Sequence, residues 1–309
     1  MRAGYPAGVT NTSTDMLAEI EDLAVELAHL AGAEITDTLG REIVVEYKSE
    51  PRNAETAPTN PVSEVDRAVE QLIRTRVAER FAGHAVIGEE DDVQPDPAVE
   101  YLWVIDPVDG TTNFVNGFPL FAASIGVLHR GVPVVGAIWC STSHELRSGV
   151  YHARTGGALL FEGREVPASR PSTGVRRRLV AQPGGAPGRL AQWDTRVTGS
   201  TAIECAFVAA GIFMSGAFFG PYVWDVAGGV VLLKAAGLEV WELRRGEWRP
   251  FERFEAPATV RGNRAPTLRD WRQALAIGTS EAVAPTLRDR RGRMWRYRAW
   301  FRRFVMRFL

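Results

Sequence analysis

Trp103-Val104-Ile105-Asp106-Pro107-Val108-Asp109-Gly110-Thr111-Thr112-Asn113-Phe114 is the stretch on which the reading of this 309-residue chain turns. The run from Tyr101 to Ile105 is apolar without a break, the pattern of a buried strand, and it ends directly on Asp106. Gly110 and the two threonines after it are suited to open a helix, whose free N–H groups and positive dipole end would receive an anion. Two aspartates around a proline at the end of a buried strand either terminate it or hold a ligand.

Two further acidic pairs lie at similar junctions. Upstream, Val86-Ile87 leads into Gly88-Glu89-Glu90; downstream, Trp224-Asp225 precedes Val226-Ala227-Gly228-Gly229. Singly, each has an ordinary reading: a solvated turn for Glu89-Glu90, a helix N-cap for Asp225. Together they supply the carboxylate oxygens that hard cations such as Mg2+ prefer. Two such ions a few Å apart can polarise a phosphoryl group, lower the pKa of a bound water and neutralise the leaving oxygen.

The rest of the chain alternates in type. Ser13 and Thr14 read as N-caps of a helix with Leu17, Ile20, Ala24 and Leu27 on one face. Glu42 to Tyr47 reads as a strand, followed by a polar loop from Ser49 to Asn60. Pro61 is expected in the first turn of a second helix that buries Val65, Val69, Leu72 and Ile73. Ala122 to Leu128, Val132 to Trp139 and Gly149 to His152 should pair as an antiparallel sheet. Gly156-Gly157 and the Arg/Pro-rich Ser169 to Arg178 suggest a boundary. We expect an N-terminal half over 13–160, a C-terminal α/β half over 161–286 and a tail helix over 287–309. In the second half the pattern gives a helix from about Ser200, a strand near Tyr222-Val223, a helix over Val226 to Ala236 and a strand over Glu239 to Leu243. The uncharged stretch between Glu204 and Asp225 has the length of a membrane span, but Gly211, Gly216 and Gly220-Pro221 break it into a buried helix and a buried strand.

With its three motifs in this order, the chain resembles the inositol monophosphatase family of lithium-sensitive, metal-dependent phosphatases, over about Leu17 to Gly237. The resemblance implies a layered αβαβα sandwich, usually a homodimer. It implies Glu89, Asp106 and the Val108 carbonyl as ligands of one Mg2+, and Asp106, Asp109 and Asp225 as ligands of a second. Glu89 matches the residue that holds a third, weaker ion through water, and Li+ is expected to inhibit. Asp66 and Thr111 match the pair that orients and helps deprotonate the attacking water. The amides of Gly110 and Thr111 match the phosphate cradle, and Lys48 matches a loop lysine over the metals. Between Lys48 and Pro61 the chain is longer than the family's usual connection, with Arg52 to Ala57 extra.

Substrate recognition departs from the pattern. Six positions before Trp224, where true inositol phosphatases carry a ring-binding glutamate, stands Phe218. Gly184-Gly185-Ala186 lacks the serine often found near the ring, while Ser200 and Thr201 remain on a plausible substrate-side turn. The leading expectation is hydrolysis of an inositol-type or similar sugar or polyol monophosphate. Phosphatases of 3′-phosphoadenosine 5′-phosphate, fructose-1,6-bisphosphate or histidinol phosphate are alternatives, because an aromatic at 218 could pack on a base or imidazole. A non-catalytic scaffold on the same fold is the reading from another class.

Composition bounds the setting. Cys140 and Cys205 give no disulfide framework, and the five histidines fall outside zinc-ligand spacing. Met1 to Thr12 does not read as a signal peptide, so a cytoplasmic location is expected. From Arg288 to Leu309 nine Arg face one Asp, a net of +8 that leaves −9 on the rest of a chain whose total is −1. Met294, Tyr297, Phe301, Phe304 and Phe308 form an apolar stripe, with Arg293, Arg296, Arg303 and Arg307 mainly opposite and Arg298 and Arg302 near its margin. Such a helix can dock on the acidic body or a second subunit, or lie peripherally on an anionic membrane; nucleic acid is the least favoured partner.

Overall fold

A computed structural model describes residues 11–41, 45–47, 61–92, 94–95, 99–167, 178–181, 193–260 and 264–288. Lys48, the 49–60 loop, the 184–186 stretch and the tail beyond Arg288 lie outside the described residues.

The first sheet runs β3 (Ala85–Gly88), β4 (Tyr101–Asp109), β5 (Ala122–His129), β6 (Val132–Cys140), β7 (Gly149–Arg154), β8 (Leu160–Phe161) and β9 (Arg164–Glu165) in spatial order. Only the β3–β4 pair is parallel. The boundary expected after residue 160 therefore falls inside β8, and the first sheet continues to Glu165. A short hairpin of β1 (Val45–Tyr47) and β2 (Pro61–Ser63) precedes it.

Side chains on this sheet sort by the two-residue period of a strand. Trp103, Ile105, Ala123, Ile125, Val135, Ala137 and Trp139 enter a core with α1 (Asn11–Asp37) and α2 (Glu64–Arg80). Leu102, Val104, Ala122, Ile138 and Cys140 enter the opposite core, against α4 (Thr201–Ala209) and α5 (Val223–Ala235). In α2 the buried face is Val65, Val69, Ile73 and Val77, a strict i, i+4 series.

Beyond α4 and α5 lies the second sheet. Its order is β11 (Trp193–Arg196), β10 (Arg178–Ala181), β12 (Phe213–Phe218), β15 (Ala274–Gly278), β13 (Glu239–Arg244) and β14 (Glu247–Pro250). The helix α6 (Ser280–Arg288) packs on β12 and β15. Helices, sheet, helices, sheet and helix make the five-layered αβαβα sandwich. Among the described residues no helix is long and apolar enough to cross a membrane, and the 204–225 stretch divides into α4, β12 and the start of α5.

Three local expectations need correction. Pro61 lies in β2, and the second helix starts at Glu64 with Ser63 as its N-cap, because Asp66 completes a capping box there. Val223 opens α5 instead of sitting in a strand, which places Asp225 in the first turn of a helix. β4 does not stop at Asp106 but continues to Asp109, with a shift in its pairing to β5.

Three glycines let α5 lie directly on the first sheet. A Cβ on Gly126 would stand 2.6 Å from the Gly228 nitrogen, one on Gly136 2.4 Å from the Gly228 oxygen, and one on Gly228 2.8 Å from the Ile125 oxygen. These are backbone atoms and cannot rotate away. Gly126→Val is expected to cost about 3 kcal/mol or more of stability, since the helix must lift from the sheet. A thermal or urea melt within error of wild type would contradict this packing.

Candidate active site

The shift in β4 explains how two aspartates three residues apart come to share a face. Asp106 pairs with Ser124 and Asp109 with Ala122, so β4 spends three steps where β5 spends two. One extra residue, at Pro107-Val108, restores the parity that a regular strand would lose. Val108 turns into the α1/α2 core, and the two aspartates face the α4/α5 layer. Gly110 then adopts a left-handed φ of 90° and leads into the short helix α3 (Thr111–Val115).

Helix N-termini receive the acids. Asp109, 8% exposed, accepts hydrogen bonds from the Ser200 hydroxyl and, at 2.6 Å, from the Ala202 amide at the start of α4. Asp225, in the first turn of α5, accepts the Tyr222 amide at 2.8 Å. Asp66, in the first turn of α2, accepts the Ser63 amide at 2.8 Å through Oδ2. Its other oxygen stands 3.3 Å from the Thr111 hydroxyl, which also lies 2.9 Å from the Val108 carbonyl. Asp66 and Thr111, 45 residues apart, are thus brought together. Asn113 ties this turn to the next by donating to the Leu120 carbonyl (2.6 Å) and the Thr198 carbonyl (2.7 Å).

The electrostatics are those of crowded, buried anions. Burial raises the Asp106 carboxyl well above the usual range, and Glu89, Asp109, Asp225 and Asp66 raise it further. Asp109 is pushed up to about 6 by burial, against the hydrogen bonds from Ser200, Ala202 and Thr201. Asp225 is raised by burial and by Asp109, with the Tyr222 amide opposing. Asp106 Oδ1 is buried with no hydrogen-bond partner. A cation is the chemical group that satisfies such an oxygen and relieves such repulsion, and the donors are oxygens throughout, the set that suits a hard ion. Among the described residues no three His, Cys, Asp or Glu side chains already surround one point. Ions here would draw on backbone oxygens and water as well as these carboxylates, as Mg2+ does.

The residues expected to face substrate fare differently. Ser200 is buried and its hydroxyl is committed to Asp109, so it acts on a carboxylate. Thr201 is the first residue of α4 and half-buried. Phe218, at 2% exposure, is part of the core between the helices and the second sheet. A ring enclosed in this way has no face to offer a base or an imidazole, and the expected stacking role is withdrawn.

Sequence reading missed the supports of the site. Glu70 and Arg74 continue an i, i+4 stripe that starts at the expected Asp66, beside the apolar stripe of α2, a signal present in the sequence. Glu204 is a second buried acid. Its Oε1 accepts the Thr198 amide (3.0 Å) and hydroxyl (2.9 Å), while Oε2 is buried without a partner. Burial pushes Glu204 up to about 7. The folded state therefore holds this proton more tightly than the unfolded chain does. The stability it contributes is present below the ordinary carboxylate pKa and is lost as pH rises through about 7. Glu204→Gln should lie progressively above wild type in thermal stability from pH 5 to 8, by on the order of 3 kcal/mol at the alkaline end. Parallel stability curves for the two proteins would refute it.

Comparison with known proteins gives a consistent result. The profile of the inositol monophosphatase family matches residues 16–274. Inositol-1-monophosphatase of Bacillus subtilis is 32% identical over 258 residues, covering 79% of this chain and 92% of the relative. The probable inositol 1-monophosphatase ImpA of Mycobacterium tuberculosis is 37% identical over 210 residues, covering 62% of this chain and 74% of its own. The solved inositol monophosphatase of Anabaena superposes with a TM-score of 0.63 at 25% identity, over 86% of this chain and 92% of that one.

Proposed function

We infer that this chain, which belongs to the inositol monophosphatase family and is a phosphoric monoester hydrolase, acts with Mg2+ on an inositol-type or similar small sugar or polyol monophosphate. The observation that carries this reading is the buried acid cluster around the unpartnered Asp106 Oδ1, set beside the Asp66–Thr111 pair. Glu89, Asp106 and the Val108 carbonyl would hold one ion; Asp106, Asp109 and Asp225 would hold a second. Ions bound there would supply the positive charge that phosphoryl and leaving oxygens need and would make a nearby water more acidic.

The chain's own residues do the rest. Thr111 can accept a hydrogen bond from the attacking water while donating to Asp66, which orients the water and gives its proton a destination. The amides of Gly110 and Thr111 are the proposed phosphate donors, at the turn into α3. Ser200 and Ala202 fix Asp109, and Tyr222 fixes Asp225, so neither carboxylate has to find its place during the reaction. The enclosed Phe218 removes the reason for preferring substrates that carry a base or an imidazole.

Assay of the full chain against inositol 1-phosphate, glycerol phosphate, fructose-1,6-bisphosphate, 3′-phosphoadenosine 5′-phosphate and histidinol phosphate tests this reading. The expected result is Mg2+-dependent turnover of a polyol monophosphate, inhibited by Li+. Turnover confined to the nucleotide or to histidinol phosphate would overturn the substrate class, and silence on every monoester would favour a scaffold. We also propose a homodimer, tested by sedimentation velocity. A peripheral contact of residues 288–309 with anionic membrane is tested by liposome sedimentation with and without that segment.

A further inference from the structure

The four-residue loop Gly88-Glu89-Glu90-Asp91 is gripped from two sides by opposite charges. On one side stands Glu70 of α2, itself 2% exposed. Its carboxylate accepts the Glu90 amide at 2.8 Å and the Asp91 amide at 3.2 Å, and is held by Arg74 at 2.7 and 2.9 Å. Gly88 is required for this approach, because a Cβ there would lie 2.3 Å from the Glu70 carboxyl carbon. On the other side stands Arg269, from the 3-10 turn Leu268–Asp270. Its guanidinium donates to the carbonyls of Gly88, of Asp91 (2.7 Å) and of Glu89 (3.1 Å), and pairs with Asp92 at 3.2 Å. An acid thus takes the loop's N–H groups and a base takes its C=O groups.

The same guanidinium lies over the Trp224 ring, 4.9 Å from its centroid, and Trp224 immediately precedes Asp225. One side chain therefore touches both the loop that carries Glu89 and the residue next to Asp225. We propose that Arg269 is a positioning residue for cation binding, which fixes Glu89 relative to Asp225 and so sets the protein's affinity for divalent metal. The inference rests on the metal-site reading given above. Arg269 suits the task for a geometric reason. A planar fork can serve three carbonyls and an aromatic face at once, whereas a lysine ammonium is a compact point charge without that flat, rigid array of donors. Losing it takes the donor from those carbonyls and leaves the loop held from the Glu70 side, with Glu89 less closely fixed relative to Asp225.

The test uses the full chain as wild type, Arg269→Lys, Arg269→Gln and, as control, Arg249→Gln, which breaks an exposed pair with Glu247. Mg2+ alone is titrated calorimetrically, and turnover is measured across Mg2+ concentration. For both Arg269 variants, Mg2+ affinity should fall about 10- to 100-fold, the usual effect of removing an outer support of a metal ligand. At saturating Mg2+, kcat and KM for the phosphate ester should stay within about threefold of wild type, because the proposed role of Arg269 acts through Glu89 on the cation and not on the ester. In a third variant, Arg269→Ala, which should lose Mg2+ affinity to the same extent, added guanidinium ion but not ethylammonium should restore it at concentrations far below denaturing ones. If wild type binds no Mg2+, the metal-site reading itself fails. If wild type binds Mg2+ and the folded Arg269→Lys variant binds it equally well, or loses kcat with unchanged Mg2+ affinity, the positioning role is refuted.

Discussion

Asp106→Asn should bring turnover down by at least about 10^3-fold while leaving the metal-free protein as stable as wild type or more so. Two opposite consequences follow from one carboxylate. In the assembled site Asp106 is proposed to bridge both cations, and an amide cannot supply two anionic oxygens. The several kcal/mol that metal charge contributes to phosphoryl transfer would go with it, at about 1.4 kcal/mol per tenfold in rate. Without metal the same carboxylate is a liability. It is 2% exposed, its Oδ1 has no partner, and it lies within the fields of Glu89, Asp109, Asp225 and Asp66. Keeping this carboxylate ionised costs desolvation and four repulsions, the same causes that raise its pKa, and a neutral amide of equal shape carries neither cost. Thermal melts in chelator and in Mg2+, run beside kcat/KM, separate these effects. Wild type should gain stability on adding Mg2+, and Asp106→Asn should not. A variant with near wild-type turnover, or one that unfolds more easily in chelator, would show that Asp106 has another role.

The parts of this site that could be read from the sequence are those whose chemistry is local. Asp106, Asp109 and Gly110 fall within one continuous motif; the Ser63–Asp66 capping box is just as local, yet Pro61 drew the expected helix start too early. The parts that could not are joined only by the fold. Arg269 reaches carbonyls 178 to 181 positions away, and nothing near it in the chain marks it out. β15 was equally silent: Ala274 to Gly278 is a short apolar run of a kind that serves helices and strands alike, yet it lies inside the second sheet. Phe218 shows the opposite failure, a position assigned by resemblance and misread in environment. It lies on β12, which sits between β10 and β15 and is covered by α4 on one side and packed by α6. At its Phe218 end the strand is closed to solvent, so a large apolar residue there is core whatever a relative uses the position for. Motif matching fixes a place in the chain; burial decides what that place can touch.

Thr111→Val should lower kcat by about 10^2- to 10^4-fold, the range for losing general acid–base assistance, with Mg2+ affinity and KM little changed. The hydroxyl stands between two acceptors, Val108 O at 2.9 Å and Asp66 Oδ1 at 3.3 Å, and has one proton to give. Donation to Asp66 leaves its lone pairs for the attacking water; donation to Val108 leaves Asp66 without that link. Asp66 is built for the first arrangement. Its Oδ2 is occupied by the Ser63 amide, and Oδ1 is the oxygen turned toward Thr111. Thr111→Ser should therefore keep most activity, because it keeps the hydroxyl. Asp66→Asn should resemble Thr111→Val, since an amide can orient but cannot receive the proton. The decisive measurement is the double variant. Two groups in one relay fail together, so Thr111→Val with Asp66→Asn should be scarcely worse than the poorer single variant. Losses that multiply instead would mean that the two residues serve separate steps, and that their contact across 45 residues belongs to the fold and not to the reaction.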